Sequence, residues 1–146
     1  MGKIMSRQKI LAVGGVVAMM LTSAVMAEEF SGRLGRVPVD NRTQAAVAGI
    51  GHATAELDGN RLTIDGDFEG LLGPATVANL HMGRAVGARG PVIHELTVSH
   101  QSDGEVSGSV RLRADEVAAL RAGRLYIQIH SESAPEGNLW GWLFNE

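Results

Sequence analysis

With no cysteine among its 146 residues, the chain leaves its five histidines as the main candidates for chemistry. Asn79 and His81 are two positions apart, and a strand sends residues at that spacing to one face. Tyr126, Gln128 and His130 repeat the spacing, opposite Leu125, Ile127 and Ile129. Were these two strands neighbours, polar groups from both would converge. Two imidazoles with an amide from Asn79 or Gln128 would then suit copper or zinc, both of which accept imidazole ligands. The same groups serve equally as a hydrogen-bonded strand crossing, with His81 and His130 bonded to backbone and to Tyr126 or Asn79. The structural role is the leading expectation, metal binding at His81 and His130 the alternative, and acid–base catalysis a distant third. His94 shares a face with Val92, Leu96 and Val98, and completes a three-histidine set only if its strand adjoins the other two. His52 opens a strand and His100 borders a turn, positions where exposure is the default.

Other groups assemble into less. Asp65, Asp67 and Glu69 alternate on one strand face, a pattern open to calcium binding or glycoside hydrolysis but expected of any solvated face. Neither a nucleophile elbow nor a phosphate-cradling glycine loop is present. Trp140 and Trp142 point the same way. They read as cover for a barrel end or, with Tyr126, as an aromatic contact surface.

The N-terminus changes the composition to be explained. Lys3, Arg7 and Lys9 precede an apolar run from Ile10 to about Val25, which ends in Val25-Met26-Ala27. A basic start, an apolar stretch short of the roughly 20 residues of a membrane span, and small residues before the cut are the marks of a secretory signal peptide. Residues 1–27 are therefore expected to be removed, leaving a secreted or periplasmic protein with no stable membrane insertion. Beyond Ala27, ten arginines and no lysine stand against sixteen acidic residues, a net charge of −6. That balance speaks against nucleic acid as a partner. An oxidising compartment without cysteines means that packing alone holds roughly 100 residues together, which is feasible at that size.

The elements that must position the histidines are strands. Residues 28–45 show no sustained period and are expected to form a tether or a loose first strand, leaving one domain over 46–146. His52 to Leu57 and Arg61 to Phe68 alternate about an Asp58-Gly59-Asn60 turn, with Leu62, Ile64 and Phe68 on one side. Further alternating runs cover Ala75 to His81, Val92 to Val98, Val106 to Leu112, Leu125 to Ser131 and Leu139 to Phe144. Only Ala114 to Ala122 reads as helix, with Gly123 as its stop. Seven short strands at close spacing predict an all-β, Greek-key antiparallel sandwich or barrel with one short helix.

Two segments carry a family resemblance. One is Gly73-Pro74-Ala75-Thr76-Val77-Ala78-Asn79-Leu80-His81-Met82-Gly83, running on to Gly90-Pro91-Val92. The other is Gly123-Arg124-Leu125-Tyr126-Ile127-Gln128-Ile129-His130-Ser131, followed by Pro135-Glu136-Gly137-Asn138-Leu139-Trp140-Gly141. Together, from about Ile50 to Leu143, they resemble the CHRD domain, a module named from chordin and found in many bacterial secreted proteins. Asn79 stands where the family pattern has the first histidine of a His-x-His pair, Gln128 where it has asparagine, and Trp140 where it has arginine. The resemblance implies an immunoglobulin-like or Greek-key β-domain and assigns no activity. The resulting expectation is a non-catalytic binding or structural module with a protein or extracellular-matrix partner, with no cofactor unless copper or zinc sits at His81 and His130.

Overall fold

The structure is a computed structural model that describes residues 14–18, 21 and 26–146. Most of the expected signal peptide lies outside the described residues. Among the described residues no helix is long and apolar enough to cross a membrane.

Nine strands and one helix follow in the order β1 (Glu28–Arg36), β2 (Ile50–Asp58), β3 (Arg61–Glu69), β4 (Ala75–Met82), β5 (Val92–Val98), β6 (Gly104–Arg111), α1 (Ala114–Arg121), β7 (Leu125–Ser131), β8 (Leu139–Trp142) and β9 (Phe144–Asn145). The sheet runs β2-β3-β6-β5-β4-β7-β8-β1, and β1 pairs back onto β2, so eight strands close an antiparallel barrel. Strand β9 continues the course of β8 along β1 after an interruption at Leu143. The order β3-β6-β5-β4 is a Greek key. Closure decides for a barrel over a sandwich and leaves no long open edge.

Alternation accounts for the interior. Leu62, Ile64 and Phe68 of β3, Ala78 and Leu80 of β4, and Leu125, Ile127 and Ile129 of β7 all belong to one buried cluster. The helix contributes Ala119 and Leu120 to it, and Gly123 ends the helix at φ +71°. There the chain must turn left-handed, a conformation that glycine adopts without penalty.

Of the tether or loose first strand expected over 28–45, the structure has a strand that is a full member of the barrel. Residues Glu28 to Leu34 pair with β2 from Leu57 to Gly51, and Phe30 and Leu34 lie in the core at 1% and 0% exposure. The Glu28 carboxylate also accepts from Nε of Arg121 at 3.0 Å, which ties the strand to the end of α1. Only the stretch after β1 is a loop. Its turn is closed by Asp40, whose Oδ1 accepts the Arg42 and Thr43 N–H groups at 2.8 and 3.0 Å.

Candidate functional site

The two histidine-bearing strands are neighbours. β4 and β7 pair with Asn79 opposite Gln128 and His81 opposite Tyr126, and β8 continues the ladder with Trp140 opposite Gln128 and Trp142 opposite Tyr126. Directly opposed residues share a face. Two rows therefore cross the outside of the barrel, His81–Tyr126–Trp142 and Asn79–Gln128–Trp140, with His130 one step further along. Their inward neighbours are the apolar residues of the core.

This outer face is packed. The His81 and Tyr126 rings stack at 4.7 Å with 14° between their planes. Trp142 lies 4.4 Å from Tyr126 on its other side, and Trp140 meets Tyr126 edge-on at 5.7 Å. Two loops fold over the layer. From the 83–91 loop, the Gly90 N–H donates to the Tyr126 hydroxyl at 3.0 Å, and the Gly90 carbonyl accepts from that hydroxyl and from His81 Nδ1 at 3.2 and 2.9 Å. From the 132–138 loop, the Pro135 carbonyl accepts from His130 Nδ1 at 2.9 Å and the Glu136 carbonyl accepts from the Gln128 amide at 3.3 Å. Both loops come close through glycine. A Cβ on Gly90 would overlap the Met82 carbonyl, and one on Gly137, at φ +138°, would stand 2.6 Å from the Gln128 amide nitrogen.

Covering the face corrects one expectation about it. Tyr126 and Gln128 are 1% and 3% exposed, so Tyr126 is no part of a contact surface; Trp140 and Trp142, like Asn79 and His130, are half-buried and reach solvent. Of the hydrogen bonds expected of His81 and His130, those to backbone are present, with carbonyls of the covering loops as the acceptors, whereas neither ring bonds to Tyr126 or Asn79: His81 stacks on Tyr126 and His130 meets Gln128.

Those bonds also set the tautomers. A carbonyl at Nδ1 places the proton there in both rings. His130 Nε2 can then accept from the Gln128 amide at 3.4 Å, whereas His81 Nε2 is buried with no partner. Burial first, with the neighbouring His130 ring and the Arg89 guanidinium adding to it, holds the His81 imidazole below its ordinary pKa, against the opposing effect of its bond to Gly90. A lowered pKa means that the folded protein resists protonation that the unfolded chain accepts. The His81 contribution to stability is therefore fully present above pH 6.5, the ordinary value, and is lost as pH falls through the folded value. We expect urea unfolding midpoints to drop more between pH 7 and about 5 for the wild type than for His81→Asn; parallel profiles would exclude this assignment.

Copper or zinc at His81 and His130, the alternative expectation, gains no support from the geometry. Among the described residues no three His, Asp or Glu side chains lie close enough to hold a metal ion. His94, the suggested third ligand, is opposite the core residue Leu80, which puts it on the inner side of the sheet. There its Nε2 lies 3.2 Å from Oε2 of Glu116. Asp65, Asp67 and Glu69 are exposed on β3, a strand that does not adjoin β4, β7 or β8.

Two participants escaped sequence reasoning. Arg89 places its guanidinium 5.3 Å over the Trp140 ring, and donates to Oε1 of Gln128 at 3.5 Å. It sits in a glycine-rich connection that reads only as a turn. Glu116 is a buried carboxylate at the third position of α1. A glutamate there is half of a capping box, but the other half is missing because Arg113 occupies the cap.

Comparison with curated proteins and with solved structures returned no significant match. The family model of the CHRD domain matches residues 28–143, from the first barrel strand to the end of β8, and the chain belongs to the CHRD domain family.

Proposed function

We propose that the chain is an exported, non-catalytic binding or structural module that meets a protein or matrix partner through the edge carrying Trp140 and Trp142. The observation that carries this reading is the pair of half-buried indoles, 5.8 Å apart, presented from a rigid strand and backed by buried Tyr126. Indoles so placed lose little side-chain freedom on contact and offer large apolar area, as binding hot spots do. A catalytic reading would need a nucleophile or acid–base pair within reach of one another. On the aromatic face the imidazoles are instead bonded to carbonyls, which suits a fixed scaffold. Export rests on the basic and apolar pattern of residues 1–27.

Retention of the purified chain on insoluble matrix polymers, a panel of glycans and fibrous proteins, tests the contact edge. Trp140→Ser and Trp142→Ser are each expected to reduce the retained fraction by about fivefold or more, with far-UV circular dichroism unchanged. Equal retention by both variants would remove the edge from the binding reading. The intact mass of the protein recovered outside the cytoplasm tests export, with Glu28 expected as the first residue; a chain kept inside with its basic start would overturn it.

A further inference from the structure

Beside the aromatic face, between the 37–47 and 133–137 loops, opens a cavity of about 340 Å³. Its apolar wall is built, not incidental. Val37, Val47 and Ala134 pack together as a small cluster of their own against Trp140, each no more than 6% exposed. This volume lies at the lower end of the range of about 300–1,000 Å³ typical of small-molecule sites, which likewise combine apolar walls with few polar groups.

Among the described residues, one guanidinium of the cavity stands without a carboxylate. Arg42 and Arg89 line it, with the exposed Glu136. Arg42 is already paired with Asp40 at 3.6 Å. Arg89 has no carboxylate within ion-pair distance among the described residues, although acids outnumber bases beyond Ala27. It is held instead by the face of Trp140 and the amide oxygen of Gln128. A guanidinium fixed by stacking keeps most of its donor fork free, and a fork of that geometry matches a carboxylate.

We propose that this cavity is a binding site for a small organic anion, with an apolar body seated on Val37, Val47 and Ala134 and a carboxylate received by Arg89. The site is linked to the aromatic face. The loop that forms one wall is bonded through Pro135 to His130 and through Glu136 to Gln128, and Trp140 packs against the Val37, Val47 and Ala134 wall, so a ligand seated there changes the surroundings of that indole. This inference needs no macromolecular partner, and it stands or falls separately from retention on matrix polymers.

Titration of the whole chain with octanoate, benzoate and their neutral amides, followed by tryptophan emission and by amide chemical shifts, is the test. At least one carboxylate is expected to saturate the protein below about 10 mM and to bind about tenfold or more tightly than its amide. Arg89→Gln is expected to abolish that preference, Arg89→Lys to keep part of it, and Arg42→Gln to change affinity by less than about threefold, because its charge is already balanced. A second variant, Ala134→Leu, reduces the cavity without touching charge and is expected to weaken acid and amide alike. Equal affinity for acid and amide, unchanged selectivity in Arg89→Gln, or no saturable shift by either carboxylate would overturn the proposal.

Discussion

Replacing Tyr126 by alanine is expected to lower stability by about 3–5 kcal/mol, a large part of the roughly 5–15 kcal/mol that holds a domain of this kind. The ring is 1% exposed although it points away from the barrel interior. It lies between His81, stacked at 4.7 Å, and Trp142, tilted at 4.4 Å, so truncation removes a ring that packs against both neighbours at once. Its hydroxyl is also the acceptor for the Gly90 N–H and a donor to the Gly90 carbonyl. Tyr126→Phe separates the two contributions. It keeps the stack but leaves the Gly90 N–H without that acceptor, at an expected cost of about 1–2 kcal/mol. Urea unfolding measures both, and a red shift of tryptophan emission in Tyr126→Ala reports the opened layer. A loss below about 1 kcal/mol for the alanine variant would show that the outer face is surface and not a packed layer.

The two-residue period made both faces of β7 legible, because Leu125, Ile127 and Ile129 alternate with Tyr126, Gln128 and His130. It also placed Asn79 and His81 together. Whether the two sets met depended on β4 adjoining β7, a pairing between strands separated by β5, β6 and α1. Periodicity within each strand carries no information about that order. The covering of the face was less legible still. The 83–91 and 132–138 loops lack any period, and their contacts to the sheet run through the backbone of Gly90, Pro135 and Glu136. A backbone carbonyl leaves no mark in the residue type. Polar Tyr126 and Gln128 thus become as buried as core leucines for reasons outside their own strand.

The first strand showed itself only as one of two readings, for a related reason. Phe30 and Leu34 face inward, but the inward position between them is Gly32, where the backbone of Trp142 comes too close for any Cβ. Alternation interrupted by glycine reads as no alternation at all. The family match from residue 28 includes this strand, and the barrel needs it, since β1 is what joins β8 to β2.

Glu116→Ala is the second substitution of large expected effect, about 2–4 kcal/mol, because one buried carboxylate has three jobs. Its Oε2 accepts the Arg113 N–H at 3.0 Å, an otherwise unpaired donor at the start of α1. The same oxygen lies 3.2 Å from His94 Nε2, and Oε1 lies 3.3 Å from Arg113 Nε. The Glu116 side chain is 5% exposed and that of His94 27%, so the carboxylate depends on these partners more than they depend on it. Glu116→Gln keeps one acceptor oxygen for the helix and is expected to recover about half of the loss. His94→Ala, which leaves the cap in place, is expected to cost about 1 kcal/mol. Position matters as much as magnitude. Ala119 and Leu120 of α1 belong to the barrel core, so an uncapped helix loosens from its N-terminal end while its apolar side stays anchored. In Glu116→Ala, amide hydrogens of Val117 to Arg121 should therefore exchange faster than those of Ile127 and Ile129, through local opening below the global unfolding free energy. Uniform protection across α1 and β7, with urea stability within about 0.5 kcal/mol of the wild type, would remove Glu116 from this role.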